Sequence, residues 1–165
     1  MSRKNIAIYP GTFNPVTVGH TDIIERGAKL FEKVYICVAE SRNKHPVFTL
    51  EERVDMIKGA GLPSNVEVVG FRSLLIDLCH RLDAQVIIRG LRMVSDFEYE
   101  FQLASMNRHL DNSIETIFLT PAEDKSYISS TIVREVARFG GDVSRLVPAN
   151  VVDALQRVYR QRKMD

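Results

Sequence analysis

Four segments of this 165-residue chain gather the side chains able to handle phosphate. The first runs Pro10-Gly11-Thr12-Phe13-Asn14-Pro15 through Thr17, Val18 and Gly19 to His20. The others are Ser41-Arg42-Asn43-Lys44, Arg89-Gly90-Leu91-Arg92, and Lys125-Ser126-Tyr127-Ile128-Ser129-Ser130-Thr131. Together they collect cations, hydroxyls and loop amides with little acidic counterweight, a pattern suited to a polyanion such as a nucleoside triphosphate. No Ser–His–Asp or Cys–His set accompanies them, so the chemistry they suggest is positioning and charge stabilisation without an enzyme nucleophile. The first segment lacks the Gly-Lys-Ser/Thr ending of a P-loop and the Gly-x-Gly-x-x-Gly dinucleotide pattern.

Within that segment, Gly11 and Gly19 are expected to let the backbone approach a ligand, and Asn14-Pro15 to turn the chain. His20 falls in the first turn of a helix, where free N–H groups and the helix dipole favour phosphate. The same field lowers an imidazole pKa, so His20 reads as a neutral N–H donor rather than a base. Plainer readings stand beside these. Lys44 alone is a surface-loop lysine, Arg89 and Arg92 are helix-rim charges, Glu100 is a solvated helix residue, and Ser129-Ser130-Thr131 is a helix N-cap.

The elements that must hold these segments alternate. Strands are expected at Ile6–Tyr9, Val34–Ala39, Val66–Val69, Val86–Ile88 and Ile114–Leu119, nearly continuous apolar runs as in strands covered on both faces. Between them lie helical patterns: Ile24, Ala28 and Phe31; Leu50, Val54 and Ile57 behind a Thr49–Glu52 capping box; and Leu75, Leu78, Cys79 and Leu82. A fourth, capped by Ser95 with Glu98, carries Phe97, Phe101 and Ala104. A fifth starts near Ser129–Ser130 and stops at Gly140–Gly141, and a last one has Pro148 in its first turn. Strands alternating with helices predict an α/β fold, a doubly wound five-stranded parallel sheet in one domain over residues 1–165. In such sheets ligands bind beyond the carboxyl ends of the strands, which is where the four segments sit.

Composition narrows the class. The chain is 45% hydrophobic and 26% charged with formal net charge +1. That is ordinary for a globular protein and gives no bulk electrostatic case for nucleic acid or membrane. The basic stretch Arg157, Arg160, Arg162 and Lys163 reads as a solvated helix end. Cys37 and Cys79 read as free thiols in a reducing compartment. The apolar run behind Arg3 and Lys4 ends at Pro10, too short for a signal peptide, so a cytoplasmic protein is expected. His45, His80 and His109 show no metal spacing, and Tyr99 and Phe101 suit core or subunit contacts better than base stacking.

Gly11-Thr12-Phe13-Asn14-Pro15 with Thr17-Val18-Gly19-His20 resembles the T/HxGH signature of the nucleotidylyltransferase superfamily, and Ile128-Ser129-Ser130-Thr131 resembles its second signature. The middle of the chain is more selective. Arg89-Gly90-Leu91-Arg92, Asp96-Phe97-Glu98-Tyr99-Glu100-Phe101-Gln102, Met106-Asn107-Arg108 and Thr49-Leu50-Glu51-Glu52-Arg53 resemble the bacterial phosphopantetheine adenylyltransferases over nearly the whole chain. Asn14 stands where that family more often has Asp, and Lys125 where an aromatic is common.

The resemblance implies a Rossmann-like nucleotidylyltransferase fold and transfer of AMP from ATP to 4′-phosphopantetheine, with Mg2+ accompanying ATP and pyrophosphate. His20 and Lys44 would hold the α-phosphate, Thr12 would sit between the substrates, and Arg92, Ser129 and Ser130 would hold the β- and γ-phosphates. Phe13, Gly90, Leu91, Glu100, Lys125, Ser126, Tyr127, Ile128 and Thr131 would complete the ATP site, while Arg89 and Leu75 would meet the acceptor. The resemblance also implies a homohexamer and raises feedback by coenzyme A. Two alternatives stay open: a nicotinate or nicotinamide mononucleotide adenylyltransferase, and a non-catalytic ATP-binding regulatory module.

Overall fold

The expected apolar runs become five parallel strands in a computed structural model that describes residues 5–41 and 46–164. In chain order the elements are β1 (Ile6–Gly11), α1 (Val18–Leu30), β2 (Lys33–Ala39), α2 (Leu50–Lys58), β3 (Val66–Phe71) and α3 (Leu75–Arg81). They continue with β4 (Val86–Gly90), α4 (Val94–Leu110), β5 (Glu115–Leu119), a 3-10 turn at Glu123–Lys125, α5 (Ser130–Arg138) and α6 (Ala149–Met164).

The sheet order is β3-β2-β1-β4-β5. The chain winds outward from β1 through β2 to β3, then returns to lay β4 on the other side of β1, with Ala7 beside Val86 and Ile8 beside Ile87. The strand order therefore reverses between β1 and β4, and the loops leaving those two strands diverge around a crevice.

Alternation along β1 shows why its run is apolar throughout. Ile6 and Ile8 enter a layer with Ile76, Leu78, Cys79 and Ile87. Ala7 and Tyr9 enter the opposite layer with Ile24, Ile57, Val133 and Leu155. Both faces are covered, so no polar position is needed. Both cysteines are free and buried. No helix among the described residues is long and apolar enough to cross a membrane.

The caps of α2 and α5 are as expected. The Thr49 hydroxyl accepts from Glu52 N–H and the Glu52 carboxylate from Thr49 N–H, while the Ser129 hydroxyl accepts from Ile132 N–H at 3.1 Å. Gly140, at φ +78, ends α5 in a conformation glycine adopts without strain. The last helix begins at Ala149, one residue after Pro148, whose carbonyl accepts from Val151 N–H.

Helix α4 departs from the sequence reading. Its first turn is held not by Ser95 but by the Asp96 carboxylate, which accepts the N–H groups of Arg92 and Met93 at 3.2 and 3.3 Å. Phe97 and Phe101, expected on the packed face, are 49% and 56% exposed, and the buried member of α4 is Glu100. The reason is electrostatic. Arg89 at the end of β4 draws Glu100 inward, and that orientation turns both phenylalanines outward.

Candidate active site

A cleft of about 440 Å³ opens above the ends of β1 and β4, walled by the β1–α1 loop, the β4–α4 loop and the start of α5. A larger hollow of about 620 Å³ lies between α5 and α6, lined chiefly by Arg134, Arg138, Phe139, Tyr159 and Arg162. It touches no strand exit, so the chemistry belongs to the first cleft.

The β1–α1 loop is built around Phe13. Its backbone adopts φ +48, and its buried ring stands edge-to-face against Tyr9 at 5.3 Å and His20 at 4.8 Å. A Cβ on Gly11 would lie 3.0 Å from that ring. The bare side of Gly19 faces the Thr17 hydroxyl and the carbonyls of Lys125 and Ile128. Both glycines also line the cleft. Asn14–Pro15 is the expected turn, with a cis peptide bond. Thr12 is exposed at the cleft, and the buried Asn14 Oδ1 has no hydrogen-bond partner among the described residues.

Helix α1 starts with a reciprocal cap. Thr17 N–H donates to Nδ1 of His20 at 2.9 Å, and His20 N–H donates to the Thr17 hydroxyl at 3.3 Å. An Nδ1 that accepts carries no proton, so the neutral ring bears its hydrogen on Nε2. Desolvation, with Arg92 adding, lowers the His20 pKa from 6.5 to about 4. His20 is therefore a neutral donor at physiological pH, with its donor atom set by the cap.

The two signature segments are stitched together through the backbone. The Ser130 hydroxyl donates to Pro15 O at 2.8 Å, and Arg134 Nη1 donates to Asn14 O. Arg92 Nη1 donates to Ile128 O at 3.2 Å, and Leu91 N–H to Leu119 O at 2.9 Å. Asp22 of α1 accepts from Ala122 N–H at 2.7 Å and pairs with Lys125 at 3.7 Å. Burial would raise the Asp22 pKa, but the bonds from Ala122 and Arg26 outweigh it and hold the carboxyl below its ordinary value. The Ser130 hydroxyl proton is thus committed to Pro15, so what Ser130 keeps for an anion is its N–H at the start of α5.

Arg89 is likewise committed on one edge. Its Nε and Nη2 donate to the two Glu100 oxygens at 2.7 and 2.8 Å, and Nη1 donates to Pro10 O at 2.9 Å. Burial would lower the guanidinium pKa, but Glu100 outweighs it and holds it above its ordinary value. A guanidinium has five N–H groups, so two have no partner among the described residues and can serve a ligand.

The cytidylyltransferase-like family matches residues 8–136 of this sequence. The phosphopantetheine adenylyltransferase of Stenotrophomonas maltophilia (strain K279a) is 56% identical over 159 residues, covering 96% of this chain and 94% of that one. The chain belongs to the phosphopantetheine adenylyltransferase family. The fold is shared more widely. A Plasmodium falciparum nicotinic acid mononucleotide adenylyltransferase complexed with NaAD superposes with TM-score 0.70 at 15% identity, over 93% of this chain and 95% of its own. A Francisella tularensis bifunctional NMN adenylyltransferase/ADP ribose pyrophosphatase, complexed with AMP and a Mn ion, gives 0.70 at 16% identity over 96% of this chain and 51% of that one.

Against this family's expected site, the cleft brings together Thr12, Phe13, His20, Arg89, Gly90, Arg92, Glu100, Ile128, Ser129, Ser130 and Thr131. Others lie off its wall. Leu75 packs against the layer beneath α3, Ser126 donates to Glu123 O, Tyr127 is 61% exposed, and Lys125 turns to Asp22. Lys44, like His45, lies outside the described residues. His80 stands away from the cleft, paired with Asp111. Arg134 lines the cleft without having been singled out in the sequence; its signal was its place one helical turn beyond Ser130, on the same face.

Proposed function

We propose that this phosphopantetheine adenylyltransferase family member transfers AMP from ATP to 4′-phosphopantetheine, forming dephospho-coenzyme A and pyrophosphate. The observation that carries the reading is the Thr17–His20 cap, which leaves one fixed, uncharged N–H donor in a cleft otherwise furnished with cations and helix N–H groups.

A phosphate oxygen of the acceptor attacks the α-phosphorus of ATP in line, the bond to the bridging oxygen breaks, and pyrophosphate carries away the electron pair. His20 Nε2–H and the Lys44 ammonium hold the non-bridging α-oxygens as charge shifts among them. Thr12 sits where the two substrates meet. Arg92, Ser129 and the N–H groups of Ser130 and Thr131 hold the β- and γ-phosphates. Gly90 and Glu100 line the ATP side, with Phe13 and Ile128 completing it. The two free N–H groups of Arg89 take the acceptor phosphate, and Leu75 meets the pantetheine arm.

Magnesium enters with ATP. Magnesium dehydrates reluctantly and is commonly held through substrate phosphates and water, so it would be carried on the triphosphate.

The exposed apolar side chains Val94, Phe97, Phe101, Met106 and Leu110 along α4 support assembly through that helix, for which we propose a homohexamer. The two free thiols suit the cytoplasm, and feedback by coenzyme A would act through the acceptor's own subsite. The function is tested by supplying ATP, magnesium and 4′-phosphopantetheine. Dephospho-coenzyme A should appear, and should fail to appear when magnesium is chelated.

A further inference from the structure

Arg53, on α2, is 1% exposed, the largest of the fully buried side chains. Burying a guanidinium is costly unless its donors are satisfied. Here its described partners are all backbone carbonyls. Nη1 donates to Thr12 O and to Ala39 O, each at 2.7 Å, and Nε reaches Phe48 O and Thr49 O at 3.3 and 3.2 Å. Burial lowers its pKa, yet a guanidinium remains charged in a protein.

These contacts join segments far apart in sequence. Thr12 follows β1 in the irregular loop at the cleft, and Ala39 is the last residue of β2, where the chain leaves toward Ser41 and Lys44. One nitrogen therefore ties the β1 exit to the β2 exit. Helix α2 does not need this for its own sake, because its N-terminus is already closed by the Thr49–Glu52 capping box. An apolar residue would otherwise suit a position beside Met56 and Ile57.

We propose that Arg53 is a positioning residue for adenylyl transfer, clamping the Thr12 and Ala39 carbonyls so that the β1 and β2 exits stand at a fixed separation around the reacting phosphates. This rests on the function proposed above. Arginine suits the task because its planar fork spans several acceptors in set directions, whereas an ammonium is a single point. The effect falls on the transition state. On the proposed function the triphosphate is gripped chiefly from the α5 side, which Arg53 does not touch, while Thr12 stands at the transferring group.

The test is Arg53→Lys, with Arg53→Gln as second variant, each checked by circular dichroism and thermal melting. Wild-type transfer is measured first. No transfer there sinks the functional reading, whereas an active wild type with an unaffected R53K sinks the clamp alone. The clamp predicts that kcat falls roughly tenfold or more while the ATP dissociation constant stays within about threefold, as expected for a small misplacement at the reacting centre. It also predicts faster amide exchange at residues 11–13 and 39–41 with little change at 126–131. A folded variant with kcat within about twofold of wild type, or exchange rising evenly over the whole chain, overturns it. Should neither variant fold, the wild-type protein decides by nuclear magnetic resonance. Slowly exchanging Arg53 Nε and Nη protons that shift when 4′-phosphopantetheine joins a non-hydrolysable ATP complex support the clamp, and signals that do not move overturn it.

Discussion

The Thr17 N–H points at Nδ1 of His20 across 2.9 Å, so the cap of α1 also sets which nitrogen of the proposed catalytic histidine can donate. The bond that closes α1 takes the only lone pair of the ring, sends the proton to Nε2 and fixes the ring plane against Phe13. A histidine free of this cap would choose its tautomer by solvent.

His20→Ala should therefore cost activity more than fold. Loss of one preorganised donor to the transferring phosphate is expected to lower kcat by about 10²-fold or more, with ATP affinity much less changed. Single-turnover rates and ATP titration of the folded variant check this. A kcat within a few-fold of wild type, with chemistry rate-limiting, would remove His20 from the mechanism.

The pH dependence follows from the burial of the same ring, with Arg92 adding. His20 is held near pKa 4 in the folded chain against 6.5 for the free group. The unfolded chain then binds the proton more readily, so the His20 contribution to stability is whole above pH 6.5 and is lost as pH falls toward about 4. Activity should show no acidic limb from this residue between pH 6 and 8. A histidine resonance titration, with His20→Asn to assign the signal, should find a ring that stays neutral to below pH 5.

Glu100 and Arg89 form the other coupled pair. Removing the carboxylate leaves a largely buried guanidinium without its partner, so Glu100→Ala should destabilise the fold by about 3 kcal/mol and raise the acceptor KM as Arg89 loses its orientation. Urea denaturation of the two single variants and the double variant checks this. The double should cost clearly less than the sum.

The strands were legible because a sheet covered on both faces leaves unbroken apolar runs, and the caps at Thr49 and Ser129 because they are local. Helix α4 was legible as a helix but its orientation was not, since periodicity reports where apolar side chains lie and not which face meets the sheet. Its orientation comes from Arg89 and Glu100, 11 residues apart on different elements. Arg53 was hidden for a related reason: a charged residue reads as exposed until four carbonyls from three segments are seen to converge on it. At Gly11 the sequence could not show that the Phe13 ring folds back to within 3.0 Å of where a Cβ would stand. The site itself was largely readable, because the carboxyl ends of β1 and β4 had to hold it.

The central claim is the acceptor, since the two signature segments serve ATP in any adenylyltransferase of this fold. On the proposed reading Arg89 takes one acceptor phosphate, while the aromatic rings at the cleft among the described residues, Tyr9 and Phe13, are buried and stand edge-to-face, which offers no sandwich for a pyridine ring. The decisive measurement is pyrophosphate release from ATP with 4′-phosphopantetheine, nicotinate mononucleotide and glycerol 3-phosphate offered separately to one preparation. Release should be robust with 4′-phosphopantetheine and at most a trace with the other two. Robust release with the mononucleotide and none with 4′-phosphopantetheine would contradict the account.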